Sequence, residues 1–147
     1  MERLSLLKAA LFRLGIVTFE FYQSPSGNPV VYDWFLEQEV KVKARFAQIF
    51  DLLQDKGTSV GMPYVRPIVN TKLYEIRVEQ STNIYRIFYF AYTGRRFILL
   101  HGFQKKTQKT PKKEIELAQR RGKEFIAQEQ PKNNPNDNKT KKKRKKR

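Results

Sequence analysis

A chain of 147 residues has room for one ordinary domain, and its 30 Lys and Arg against 14 Asp and Glu leave it at +16. Nine of the basic groups and one acid fall in residues 130–147, so the preceding body is basic in its own right and suits a polyanionic partner such as nucleic acid. With no cysteine and one histidine, His101, the chain cannot build a disulfide frame, a thiolate nucleophile, a Cys-ligated metal site or a histidine pair, and neither metal nor cofactor is expected.

Residues 1–15 read as an N-terminal extension. Lys8 and Arg13 interrupt any signal-peptide core, and no apolar run approaches the roughly 20 residues of a bilayer span, so no membrane partner and a cytoplasmic location are expected. The domain proper is expected over 16–129. Residues 18–22 have strand composition and end at the turn Ser24-Pro25-Ser26-Gly27. Asn28 is expected to cap a first helix with Pro29 at its first position, where Val31, Trp34 and Phe35 share a face. A second helix spans about 38–56, with Val42, Phe46, Ile49, Phe50 and Leu53 as its core side and Gly57 after its end.

Then the period changes. Residues 73–80 alternate, Tyr74, Ile76 and Val78 against Leu73, Glu75, Arg77 and Glu79. A turn at 81–83 leads into residues 85–92, apolar on both faces and so a central strand, and Thr93-Gly94 turns into a third strand over 97–103. A basic connector, 104–111, precedes a closing helix with Thr110 as its cap, Pro111 at its start and Ile115, Ala118 and Phe125 on one side. The fold class is α+β: a small antiparallel sheet of a three-strand meander plus the N-terminal strand, two helices before the meander and one after. Residues 130–147 have no apolar side chain and are expected to be a disordered basic tail, an electrostatic anchor to RNA.

Glu75 and Arg77 lie two apart on one strand and share a face, and Arg86 opens the next strand. Lys105, Lys106 and Lys109 in the connector and Lys112 at the helix start add cations, Thr107 adds a hydroxyl for phosphate contact, and the helix start is an anion-binding end. Together they are candidates for a cradle around one scissile phosphate. Read from the residues alone, the plainer reading is solvated surface charge with a weak Glu75–Arg77 pair, and the cradle stays open beside it. His101 shares a face with Leu99 and Phe103 and reads as a packed, structural histidine.

Leu73-Tyr74-Glu75-Ile76-Arg77, then Tyr85-Arg86-Ile87-Phe88-Tyr89, then residues 100–111 (LHGFQKKTQKTP) and 114–118 (EIELA) resemble, in order, the signatures of the RelE/HigB-like toxin superfamily in its phage-derived HigB-type branch. The likeness runs from about Val17 to Arg121. It implies the toxin of a type II toxin–antitoxin pair that cuts messenger RNA in the ribosomal A site, beside 16S ribosomal RNA. It also implies a neutralising antitoxin, commonly a helix-turn-helix protein. Arg86 matches the superfamily's phosphate-binding arginine, Arg77 a basic strand position, and Lys105 or Lys106 a basic position after the last strand. Glu75 stands where some relatives carry a second basic strand residue, and residues 112–121 hold no clear counterpart of a C-terminal catalytic tyrosine or histidine.

The implied chemistry is attack of a ribose 2′-OH on its adjacent phosphate, leaving a cyclic phosphate and a 5′-OH. Arg77 and Arg86 suit the developing charge, Glu75 or a lysine with lowered pKa the base, and Lys105, Lys106 or Lys109 the acid. The rival expectation is a non-catalytic nucleic-acid-binding protein of phage origin.

Overall fold

Helical and strand periods produce eight elements among the described residues. The computed structural model describes residues 17–56, 64–93, 95–105 and 111–129. The expected N-terminal extension, Gly57, Gly94, the connector positions Lys106, Thr107, Lys109 and Thr110, and the tail lie outside them. The order is β1 (Thr18–Phe21), α1 (Val30–Leu36), α2 (Val40–Lys56), β2 (Val65–Pro67), β3 (Tyr74–Gln80), β4 (Asn83–Tyr92), β5 (Arg96–Lys105) and α3 (Lys112–Glu129). The α+β class is as expected.

The sheet runs β1-β5-β4-β3-β2, with β2 to β5 antiparallel and β1 parallel to β5. The parallel β1 makes the sheet mixed rather than antiparallel as expected, and the fifth strand, β2, corrects the four-strand expectation. Three residues ending in a proline carry too little alternation to read as a strand; backbone pairing of Val65 with Ile76 and Arg66 with Glu75 makes them one. A smaller correction concerns α1. Pro29 is its N-cap, without a side-chain cap bond, while the Asn28 side chain donates back to Ser26 Oγ inside the turn.

β4 takes the central place because every residue from Ile84 to Phe90 is buried. Alternation then decides what each face meets. On one face Tyr89 stacks on Phe97, which meets Phe19, which meets Phe50 of α2. The buried stripe of α2, Val42, Phe46, Ile49 and Leu53, closes this layer. α1 lays Trp34 flat against β5 at Gly102, where a Cβ would stand 2.2 Å from the indole. On the opposite face Phe90 and Tyr92 meet Phe125 of α3, and Ala118 is fully buried. A bulge in β5 serves this side: Phe88 faces His101 but Tyr89 faces Leu99, so Leu100 is the extra residue and packs near Gly122.

Arg96 ties the edge together. It pairs with Glu20 of β1 at 2.7 Å and with Glu129 of α3 at 3.3 Å, over the rings of Tyr92 and Phe125. Among the described residues no helix is long and apolar enough to cross a membrane.

Candidate functional site

The face of β4 that carries Arg86, Phe88 and Phe90 is the α3 face, and three strands bring charge to it. Register sets Arg66 of β2 beside Glu75 of β3, and Arg77 of β3 directly opposite Arg86 of β4. The expected nearness of Arg77 and Arg86 is thus present. The ion pairs are not the expected ones.

Glu75 is 1% exposed and Arg86 0%. One Glu75 oxygen lies 2.7 Å from Arg86 Nη1 and the other 2.7 Å from Arg66 Nε. Arg77 pairs instead with Glu79 at 2.5 Å. Two readings are corrected here. There is no surface Glu75–Arg77 pair, and neither Glu75 nor Arg86 presents its charged group to solvent. A guanidinium taken out of water requires a carboxylate close by, and Glu75 supplies it. Arg66, on the unforeseen strand, then fills the second carboxylate oxygen. Burial holds the Arg86 pKa below its ordinary value; Glu75 opposes that shift and the neighbouring Arg66 and Arg77 charges add to it. Buried, with each oxygen ion-paired to an arginine although Oε1 makes no hydrogen bond, Glu75 is not presented to a 2′-hydroxyl proton in this arrangement.

The cations that do reach the surface are Arg66, 38% exposed, and Arg77, 18%. Lys105 ends β5 opposite Ile84, on the same face, and is partly exposed. Lys112 stands exposed on α3 and lies 3.8 Å from Glu116. Lys106, Thr107 and Lys109 fall outside the described residues.

His101 occupies the seam between β5 and α3, stacked with Phe103 and edge-on to Phe88. Its Nε2 bonds the Glu114 carboxylate, while Nδ1 faces Arg121 Nη1 at 3.4 Å. Arg121 also donates to the Leu100 carbonyl at 3.0 Å and lies over the Tyr22 ring, whose hydroxyl donates to Glu124. Burial lowers the His101 pKa, outweighing the Glu114 carboxylate, and together with Glu124 it raises that of Tyr22 to about 12. Both imidazole nitrogens are engaged, which agrees with a packed, structural histidine. Glu114 was legible only as part of the 114–118 block and Tyr22 only as the end of a strand; the roles of Arg66, Tyr22 and Arg121 carried no sequence signal, because their partners are distant in sequence or lie on a strand that was not foreseen.

Among the described residues no group of three or more acidic or histidine side chains is placed to hold a metal ion. The arrangement is an anion-attracting corner: three guanidiniums from three adjacent strands, two carboxylates among them, and two cations at the surface. Its strength is charge stabilisation rather than proton transfer.

No curated protein matches the chain. The model of one family, described as phage derived protein Gp49-like (DUF891), matches residues 33–123, from α1 through the whole sheet apart from β1 and into α3. The matched stretch contains every strand that builds the arginine corner, and by it the chain belongs to the Gp49-like family of phage-derived, RelE/HigB-type toxin-like proteins.

Proposed function

We propose that this protein is the toxin of a type II toxin–antitoxin pair and a ribosome-dependent messenger-RNA endonuclease. The observation that carries the reading is the row Arg66, Arg77 and Arg86 on one sheet face, with Lys105 at its margin, in a chain of this family. Arg77 and Arg66 hold the scissile phosphate through guanidinium forks. Arg86 acts as a positioning residue: through Glu75 it fixes Arg66, and across the strand it lies against Arg77. The 2′-oxygen attacks phosphorus, the P–O5′ bond breaks, and a cyclic phosphate and a 5′-OH result. Lys105 or Lys106, among neighbouring cations, takes the 2′-proton, and a second lysine of this group or Lys109 protonates the leaving oxygen. Lys112 and Thr107 contact flanking phosphates. The partners are mRNA, 16S ribosomal RNA at the A site and a helix-turn-helix antitoxin, and the compartment is the cytoplasm.

The test is tightly controlled expression with and without the adjacent gene product, following growth and mapped mRNA 5′ ends. Arg77→Ala should relieve growth inhibition at unchanged expression and melting temperature. A fully toxic Arg77→Ala protein sinks the assignment.

A second reading, an RNA-binding protein that does not cut, is favoured by one observation. Both Glu75 oxygens and both His101 nitrogens are engaged within the fold, which leaves neither group open for proton transfer. RNA bound with no new 5′ ends would select this reading.

A further inference from the structure

On α2 the core stripe Val42, Phe46, Ile49 and Leu53 has a neighbour that the core does not use. Lys41, Ala44, Arg45 and Gln48 follow the spacing i, i+3, i+4, i+7 and form one continuous line along the helix. This line borders a cleft of about 750 Å3 whose other wall is the far end of β3, Arg77 to Gln80, with Tyr64 at its side. Ile49 and Val78, both buried, form an apolar floor.

Three properties set the cleft apart from ordinary solvated surface. Lys41 and Arg45 are like charges one helical turn apart, which repel in any helix, and neither takes part in an ion pair among the described residues. The one acid in the wall, Glu79, is already held by Arg77. Tyr64 is 47% exposed, a large ring without a ring partner among the described residues, and Gln48 and Gln80 line the same cleft. Cations without counter-charges attract phosphates; an exposed ring and two amides suit unpaired bases, whose faces stack and whose edges both donate and accept. The volume is within the range of a pocket for one or two nucleotides.

We propose that this cleft binds single-stranded RNA, with Lys41 and Arg45 on successive phosphates and Tyr64 beneath a base. Arg77 lines the cleft at the sheet edge beside Tyr64, while alternation puts its side chain on the other face with the arginine corner, so the cleft leads flanking nucleotides to the phosphate site around that edge. The choice of RNA rests on the function proposed above.

The experiment uses the full chain and a fluorescein-labelled, 2′-O-methyl single-stranded dodecamer, which cannot be cut by 2′-attack, with anisotropy measured across a salt series. Lys41→Glu/Arg45→Glu should weaken binding roughly tenfold near 100 mM salt and lower the log–log salt slope by about 1.4, the value for two lost phosphate contacts on a single strand. The equal charge change Lys113→Glu/Lys123→Glu, at exposed positions of α3, should weaken binding no more than about twofold. Tyr64→Ala should weaken binding roughly tenfold at unchanged slope, and Tyr64→Phe should restore it, since stacking carries no counterion. Circular dichroism melts confirm folding of each variant.

Equal losses in the two double variants, or a neutral Tyr64→Ala, overturn the proposal. So does displacement of the dodecamer by polyglutamate together with an unaffected Tyr64→Ala, which would make the cleft a site for an acidic peptide. Failure of the toxin reading looks different: cleft-dependent binding persists while expression neither slows growth nor produces new mRNA ends.

Discussion

Arg86→Ala tests whether the arginine in the Tyr85–Tyr89 block is a structural strut. Its side chain is wholly buried, and its partner Glu75 is 1% exposed. Removing one member of such a pair leaves a carboxylate in a low-dielectric place, a change that costs about 3–5 kcal/mol. Arg66 still holds the other Glu75 oxygen at 2.7 Å, which places the expected loss near the lower end, about 3 kcal/mol. For a domain of this size that is a fall in melting temperature of roughly 12 °C. Glu75→Leu/Arg86→Met removes both charges and keeps the volume, and it should return to within about 1 kcal/mol of the parent. Urea denaturation followed by circular dichroism on the two single variants and the double gives the coupling directly, with an expected value above about 2 kcal/mol. An Arg86→Ala protein within about 1 kcal/mol of the parent would refute the reasoning. The result also governs how growth assays are read, since an unstable Arg86→Ala toxin is harmless for reasons unrelated to chemistry. Arg77→Ala is the cleaner probe.

Gly102→Ala should destabilise by about 1–3 kcal/mol in the same denaturation assay, because its Cβ would stand 2.2 Å from Trp34 and force the indole off β5. Tyr89→Phe should leave stability unchanged or raise it by about 1 kcal/mol: the ring stays stacked between Tyr74 and Phe97, and the lost hydroxyl is buried with no hydrogen-bond partner among the described residues. His101 has a folded-state pKa below its ordinary 6.5, so the unfolded chain binds the extra proton first and this contribution to stability is lost as pH falls below that value. Thermal melts between about pH 7.5 and pH 5 should show a decline that is shallower in His101→Gln.

The legible parts of the fold were those with a local period. The stripe of α2 and the two-sided apolar run of β4 each declare an element and its depth. What was not legible depends on pairing between distant residues. β2 is only Val65-Arg66-Pro67, and its omission had a consequence at the site. Alternation correctly set Glu75 and Arg77 on one face, but without Arg66 beside it that face looked like a solvated one. A polar face at a sheet edge and a polar face under a neighbouring strand have the same sequence pattern. The same limit applies to His101: its place on a strand face was readable, whereas Glu114 and Arg121, which fix both ring nitrogens, come from the helix beyond the connector.

The parallel pairing of β1 with β5 sets a schedule for the growing chain. β1 is made before α1, α2 and the other four strands, yet among the described residues its only sheet neighbour is β5, with Thr18 alongside Arg96 and Phe21 alongside Leu99. The salt link from Glu20 passes through Arg96 to Glu129, at the end of the last helix. Closing so long a loop is entropically slow, and no shorter-range contact gives β1 an interim place in the sheet. During synthesis β2, β3 and β4 can pair first, while the first strand waits for residues 96–99, and its salt link to Glu129 closes only when α3 has been made. A nascent chain therefore completes its sheet only once β5 has been made, and partial products stopped before it leave β1 without a strand partner, its rings resting on α1 and α2.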